Sequence, residues 1–344
     1  MDKKDARILG IESSCDETAA AVISAGRIIE SNVIASQADL HARYGGVYPE
    51  IASREHVRVI HATVAEALQQ AYLTLNDMDA IAVTRGPGLA GSLVVGVNFA
   101  KSLALSANIP IIGVNHLEGH IYSAWLYPNG AKVSPEPDFP ILALLASGGH
   151  SELILMSDHL VYKRLGGTLD DAAGEAFDKI ARLLNLPYPG GPSIQKAARD
   201  GNPNAYNFPR ARLHSKWDFS FSGLKTAVLR TVEDIRHSGN PLPIADLAAS
   251  FQSAVVDALY DKALAAADEF EVKEIIVAGG VSANKALRSA FRSQNRYRVH
   301  IPSLNLCTDN AAMIAAAGYY HFIKDDLDDF SFDVEPTWSL SYQV

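Results

Sequence analysis

The chain has 344 residues, 48% hydrophobic and 20% charged, which excludes a disordered or fibrous protein and is long enough for two domains of similar size. A net charge of −9 excludes a protein that grips nucleic acid over its whole surface, while a local basic face stays open. Its only cysteines, Cys15 and Cys307, exclude a disulfide framework. With apolar runs such as Leu93 to Ala100 well short of the ~20 residues of a membrane span, a cytoplasmic protein without a membrane partner is expected.

Met1 to Arg7 leads directly into a strand, Ile8 to Glu12, followed by the polar turn Ser13 to Glu17 and a returning strand, Thr18 to Ile23. Tyr44 to Glu50 is turn-rich, and Val57, Ile60, Val64, Ala67, Leu68 and Ala71 then mark one face of an amphipathic helix. Asp79 to Thr84 reads as a strand running into the bend Arg85-Gly86-Pro87-Gly88-Leu89-Ala90-Gly91-Ser92 and a helix from about Leu93. Such a bend can offer backbone N–H groups to an anion or let a helix pack close on a sheet, and it lacks the GK[ST] ending of a P-loop.

Ile109 to Val114 reads as a buried strand, and Asn115-His116-Leu117-Glu118-Gly119-His120 follows it. Asn115 is a good helix N-cap with Glu118 placed as its capping-box partner. A helix starting there sets His116 and His120 on one face, a spacing at which two imidazoles can hold one transition metal.

Strand, small polar turn and strand recur at Ile141 to Ala146, Ser147 to His150 and Ser151 to Met156, so a duplicated α/β domain is the economical reading. Asp170 and Asp171 are expected to cap a helix whose Ala173, Phe177, Ile180, Ala181 and Leu184 face inward, with Asp178 in mid-helix. Leu186 to Pro192 breaks the chain, and the strand Glu274 to Ala278 passes through Gly279-Gly280 into a helix. Three junctions of strand, glycine and helix point to a cleft between two sheets. Two basic stretches, Arg210, Arg212, His214, Lys216, Lys225 and Arg230, then Lys285, Arg288, Arg292, Arg296 and Arg298, are candidate contacts for a phosphate backbone. After about Lys324 the chain turns acidic and irregular.

These junctions, taken in order, resemble one family across about Ile8 to Trp338. They are Gly10-Ile11-Glu12-Ser13-Ser14-Cys15-Asp16-Glu17-Thr18, Gly45-Gly46-Val47-Tyr48-Pro49-Glu50-Ile51-Ala52-Ser53-Arg54, Asn115 to His120 and Ser147-Gly148-Gly149-His150. Asp170 to Lys179, Phe219-Ser220-Phe221-Ser222-Gly223-Leu224-Lys225-Thr226, Ala278 to Asn284 and Cys307-Thr308-Asp309-Asn310 complete the set. The chain is similar to the bacterial TsaD family, the catalytic subunits of tRNA threonylcarbamoyladenosine synthesis.

The resemblance implies an α/β, actin-like ATPase (ASKHA) fold with two RNase H-like domains facing a central cleft. Residues 1–130, completed by about 305–325, would form the first domain, 131–304 the second with a helical insertion, and 326–344 an irregular tail. It implies transfer of a threonylcarbamoyl group from threonylcarbamoyl-AMP to N6 of adenine 37, in tRNAs reading codons that begin with A, with release of AMP. By position, His116, His120 and Asp309 would bind one Fe2+ per subunit, with Zn2+ chemically compatible. Leu145, Ala146, Ser147, Gly148 and Gly149, with Asp178, Gly191 and Asn284, would hold the adenylate. Asp16 is the candidate general base. Implied partners are tRNA, a paralogous TsaB-type subunit, a TsaE-type P-loop ATPase and a TsaC-type synthase that supplies the adenylate.

The rival readings are a metal-dependent peptidase and an actin-like ATPase or kinase. Zinc peptidases place glutamate directly after the first histidine or directly before the second, and here Leu117 and Gly119 hold those positions. A kinase would leave the histidine pair unexplained. Retention of all three ligand positions argues against a non-catalytic assembly subunit.

Overall fold

The computed structural model describes residues 3–135 and 137–340. They divide into two compact units, the described parts of Met1–Glu136 with Pro302–Tyr342, and Pro137–Ile301.

In the first unit, β1 (Arg7–Glu12) turns through Ser13–Asp16 into β2 (Glu17–Ser24), antiparallel, with Gly10 opposite Ala21. The inner residues of β1 are Ile, Leu and Gly and those of β2 are mostly Ala, Val and Ile, and both strands are buried almost throughout, as strands covered on both faces must be. A third antiparallel strand, β3 (Ile28–Ser36), follows; the sequence hides it because Glu30, Ser31 and Asn32 interrupt its apolar run. The short α1 (Ala38–Ala42) and long α2 (Pro49–Gln70) cross over to β4 (Ala80–Gly86), which pairs parallel with β1. Next, α3 (Ala90–Ala107) crosses to β5 (Ile111–Asn115), parallel to β4, and α4 (His116–Tyr122) and β6 (Tyr127–Pro128) follow. The strand order is β5-β4-β1-β2-β3-β6.

Two expectations shift here. The buried face of α2 carries Ala52, His56, Ile60, Thr63, Val64 and Ala67, whereas Val57 is 65% exposed. His56 turns the face inward, because its ring meets Thr18 Oγ1 at 2.7 Å and Cys15 O at 3.0 Å. The glycine bend before α3 serves close packing: a Cβ on Gly86 would stand 1.9 Å from Glu335 O, and one on Gly88 2.6 Å from Ser14 O. By length and composition α3 could cross a membrane, but its Leu93, Gly96, Val97, Ala100 and Ala104 are buried inside this unit.

The second unit repeats the plan. Strands β7 (Ile141–Ala146), β8 (Ser151–Asp158) and β9 (Val161–Gly167) form an antiparallel meander. Helices α5 (Ala173–Leu183), α6 (Gly190–Ala197), α7 (Ser222–His237) and α8 (Ile244–Glu269) precede β10 (Glu274–Ala278), which lies parallel to β7. Then come α9 (Lys285–Ser293) and β11 (Arg298–His300), giving the order β11-β10-β7-β8-β9. Thus Ser13–Asp16 and Ser147–His150 are equivalent turns, each between the first two strands of its sheet.

Asp170 and Asp171 do not cap α5, whose N-cap is Ala172. Asp170 instead accepts from Phe221 N at 2.8 Å and Ser222 N at 3.3 Å, at the start of α7, while Asp171 takes Lys179 at 2.6 Å and Lys225 at 2.8 Å. An acid at a sequence-local helix start is thereby used on a helix some fifty residues away.

After Ile301 the described chain returns to the first unit. Alanine-rich α10 (Ala311–Ile323) lies on β1 and β4 so closely that a Cβ on Gly318 would stand 2.4 Å from Ala82 Cβ. From Lys324 to Leu340 no helix or strand is formed beyond a single bridge from Asp328 to Ile111. Arg85 ties this strap down, pairing with Asp328 at 3.3 Å and with Glu335, and Asp328 also accepts from Gly113 N at 2.8 Å. Residues 341–344 of the expected tail lie outside the described residues.

Candidate metal centre

Asn115 closes β5 and opens α4, its Oδ1 accepting from Leu117 N at 2.9 Å. The two histidines then share a helix face, ring centroids 4.7 Å apart and planes at 85°. Asn310 caps α10 through Met313 N at 3.0 Å and so fixes the residue before it, Asp309. Asp309 Oδ1 stands 3.4 Å from His116 Nε2 and 3.3 Å from His120 Nε2. One ligand atom from each of the three residues falls within a 4.8 Å group.

The residues fit a transition metal on two grounds. His120 Nδ1 is buried without a hydrogen-bond partner, a state that costs about 1–3 kcal/mol unless something else engages it, and His120 Nε2, also buried, makes no hydrogen bond of good geometry and has only the ion-pair contact to Asp309 Oδ1 at 3.3 Å. His116 Nδ1 lies 2.9 Å from Glu12 Oε2, and a carboxylate only accepts, so Nδ1 carries the proton and Nε2 is the nitrogen turned toward Asp309. Glu12 is itself fixed by Thr84 Oγ1 at 2.6 Å and by Ser14 N.

The electrostatics favour positive charge here. Burial pushes His116 down, but the carboxylates of Asp309 and Glu12 outweigh it and raise it well above the ordinary imidazole value. Burial likewise opposes ionisation of Asp309 and Glu12, yet His116 holds both below the usual carboxylate range. A metal cation would meet the same two carboxylates.

Asp16 lies on the turn between β1 and β2, half-buried, its carbonyl accepting from Gln37 N at 3.0 Å. Neighbouring Glu17 is pushed up to about 9, first by burial and then by the charges of Asp309 and Asp16, so it is protonated at neutral pH. Neither Glu12 nor Glu17 stands out in the sequence. The one available signal for Glu12 is a carboxylate at the end of an otherwise apolar, doubly covered strand.

The remaining expected site residues lie in the second unit and gather there. A Cβ on Gly174 would stand 2.6 Å from Ser147 O and 2.8 Å from Gly148 Cα, so the turn Ser147–Gly149 is seated on the start of α5. Leu145 and Ala146 bury their side chains in β7 and can present only backbone. Asp178 is not solvated: it accepts from Gly190 N at 2.7 Å, just before Gly191, and burial raises it. Asn284 caps α9 through Ala286 N at 2.9 Å and Leu287 N at 3.1 Å while its amide donates to Gln252 at 2.8 Å. A cavity of about 510 Å³ bounded by Pro192, Gln195, Lys196, Gln252 and Lys285 adjoins Gly191 and Asn284, a size suited to a nucleotide.

The basic stretches are less available than their sequence suggests. Arg210 pairs with Asp257, Lys216 with Glu269, Lys225 with Asp171, Arg296 with Asp268 and Arg298 with Glu274, while Arg288 is buried against Ser282 O. Five of the eleven basic positions are thus paired with acids, from α8, from β10 and from the turn before α5.

Glu118 has a partner that its spacing does not suggest. It is fully buried, and its Oε2 meets His321 Nε2 on α10 at 2.9 Å, with Asp326 Oδ2 on His321 Nδ1 at 2.7 Å. Burial would lower His321, but Glu118 and Asp326 push it up to about 10. Unfolded imidazole titrates near 6.5, so this stabilisation, on the order of a few kcal/mol, is complete below about pH 6.5 and lost as pH rises through about 10. Urea midpoints of the metal-free protein should therefore fall between pH 7 and 10 by more in the wild type than in His321→Gln. Equal slopes would show that His321 is not charged in the folded state.

A family model described as TsaD, tRNA N6-adenosine threonylcarbamoyltransferase, matches residues 28–316. The tRNA N6-adenosine threonylcarbamoyltransferase of Thermomicrobium roseum is 54% identical over 343 residues, covering 93% of this chain and 94% of its own. That of Bacillus subtilis is 50% identical over 348 residues, covering 99% and 98%. Among solved structures, HypF of T. kodakarensis superposes with a TM-score of 0.62 at 15% identity, over 94% of this chain and 48% of that one. Component A of the Acidaminococcus fermentans (R)-2-hydroxyglutaryl-CoA dehydratase gives 0.51 at 14% identity, over 92% and 98%. At such identities the likeness is one of fold, the actin-like ATPase fold.

Proposed function

The chain belongs to the tRNA N6-adenosine threonylcarbamoyltransferase family, and from that premise we propose how its residues divide the work. The reaction moves the threonylcarbamoyl group from threonylcarbamoyl-AMP to N6 of adenine 37, in tRNAs reading codons that begin with A, forming t6A. The N6 lone pair attacks the carbamoyl carbonyl carbon, the bond from that carbon to the phosphate oxygen breaks, and AMP leaves with the electron pair. The N6 proton must pass to a base.

The observation carrying the metal reading is the convergence of His116 Nε2, His120 Nε2 and Asp309 Oδ1 within 4.8 Å of one another, with no hydrogen bond of good geometry to either buried nitrogen of His120. His116, His120 and Asp309 would hold one Fe2+, with Zn2+ equally acceptable to two imidazoles and a carboxylate. Such a metal would supply Lewis acidity toward the acyl group and a fixed anchor for the donor. Glu12 fixes the His116 tautomer.

The turn Leu145–Gly149, with Asp178, Gly191 and Asn284, would seat the adenylate, Asp178 by shaping the Gly190–Gly191 corner and Asn284 by fixing the start of α9. Asp16 would take the N6 proton. The acidic net charge supports a reading in which partners help to hold tRNA: a paralogous TsaB-type subunit, a TsaE-type P-loop ATPase, and a TsaC-type synthase delivering threonylcarbamoyl-AMP, all in the cytoplasm.

A metallopeptidase needs its glutamate free to activate water, and Glu118 is buried against His321. Asp16→Asn tests the base: single-turnover transfer from preformed threonylcarbamoyl-AMP should slow by ~10²–10⁴-fold with metal content unchanged. Transfer at the wild-type rate would remove Asp16 from that role.

A further inference from the structure

Glu118 lies between the two metal-binding candidates in sequence, but on α4 it stands about 200° round from each of them, which directs it to other partners. Those partners fix the register of two helices. On α4, Gly119 lets α10 approach so closely that a Cβ there would stand 2.8 Å from Ile314 Cδ1 and 3.1 Å from Met313 Cγ. Next to it Glu118 meets His321 at 2.9 Å, and Tyr122 stacks on Tyr320 with centroids 4.7 Å apart. Apart from Met313, Ile314, Tyr320 and His321, α10 is mostly alanine, with Ala315 set against Gly10 of β1, so of the contacts named between α4 and α10 the Glu118–His321 pair is the directional, hydrogen-bonded one.

The consequence reaches the metal centre, because α4 and α10 carry its two halves. His116 and His120 stand on α4, and Asp309 stands one residue before the N-cap of α10. His321 is 12 residues further on, about 18 Å along the helix. Sliding α10 by even 1 Å along α4 would move Asp309 by the same amount relative to the imidazoles.

We propose that the buried Glu118–His321 pair, braced by Asp326, is a register lock that holds Asp309 at the height of His116 and His120 and so sets the affinity of the centre for its metal. Glu118 and His321 are positioning residues: neither supplies a ligand atom to the group, and each acts through the helix it sits on. A buried ion pair that specifies register rather than stability is the best-attested use of such a pair. This inference rests on the metal reading of the centre.

The test uses the full chain stripped of metal and loaded with Co2+, whose visible d–d bands report ligand geometry. Affinity is measured by competition with a chelator, for the wild type, Glu118→Gln, His321→Gln and the double variant, with His120→Ala as the control. Each single variant should bind Co2+ about 10–100-fold more weakly with altered d–d bands, and the double variant should be no worse than either single, since all three break one contact. Asp326→Asn, on a 65% exposed side chain, should give a smaller shift in the same direction without threatening the fold.

Wild-type affinity and spectrum in the variants, even with lowered thermal midpoints, would overturn the lock and leave the pair a structural contact. Failure of the wild type itself to bind Co2+, or equal binding by His120→Ala, would overturn the metal reading, and the lock with it. If Glu118→Gln does not fold, an unchanged spectrum in Asp326→Asn overturns the proposal.

Discussion

His120→Ala is expected to abolish the transition-metal binding proposed for His116, His120 and Asp309 and to lower threonylcarbamoyl transfer by at least ~10³-fold, while the metal-free protein stays folded. Three ligands are the minimum for a catalytic site of this type, and their loss removes several kcal/mol of charge stabilisation, each 1.4 kcal/mol being tenfold in rate. The stability prediction has the opposite character. His120 is 1% exposed, so its removal leaves a cavity, but it also removes two buried nitrogens that make no hydrogen bond of good geometry. Those two effects offset each other, each being on the order of 1–3 kcal/mol. Urea unfolding of metal-free wild type and variant should thus differ by no more than ~1 kcal/mol. Metal should raise the midpoint of the wild type alone, because only a protein that binds a ligand is stabilised by it. Single-turnover transfer from preformed threonylcarbamoyl-AMP, with metal analysis on the same samples, decides the matter. A variant that transfers within threefold of wild type would leave the histidine pair without a role in the reaction.

What could be seen in the sequence, and what could not, follows from the range of each interaction. Asn115 announces α4 because capping is a contact over two residues, and the helix then dictates that His116 and His120 face one way. The repeated strand-turn-strand pattern at Ile8 and Ile141 survives as composition, so the duplication could be read without any pairing information. Asp309 is different. Nothing in its neighbourhood marks it as a ligand, and only its position in a family motif joined it to the histidines, 189 residues away along the chain from His120.

The contacts hidden from sequence are the long-range ones. Glu12 reaches His116 across 104 residues, and Glu118 reaches His321 across 203. Local rules assigned Glu118 and Asp170 to the nearest helix start, since a carboxylate in a first turn is usually a cap. In both cases a tertiary partner claims the group. The same logic explains the basic stretches, whose charge along the chain is real but whose acids arrive from α8, β10 and the turn before α5.

Gly10→Ala should damage stability and metal binding together. Gly10 sits in the centre of the sheet, opposite Ala21 on β2 and Ala82 on β4, where a strand ordinarily prefers a larger residue. The new Cβ would stand 2.2 Å from Ala311 O and 2.9 Å from both Ala315 N and Ala315 Cβ. Two of these three are backbone atoms of α10, so no side chain can rotate out of the way. The helix itself must lift by about 1 Å, and an overpacked site of this kind costs ~3 kcal/mol or more. The clash falls at the N-terminal turn of α10, two residues after Asp309. Stability and metal binding should therefore fail together, since a shift of about 1 Å at a reacting centre costs on the order of 10²-fold. Gly223→Ala, in α7 with nothing within 4 Å of the added methyl, is the control and should be neutral or stabilising by up to ~1 kcal/mol. Urea unfolding of the metal-free proteins and Co2+ competition on the same variants measure both effects. If Gly10→Ala unfolds within 1 kcal/mol of wild type and keeps its Co2+ affinity, then α10 has slack against β1, and the close approach at Gly10 is not what places Asp309.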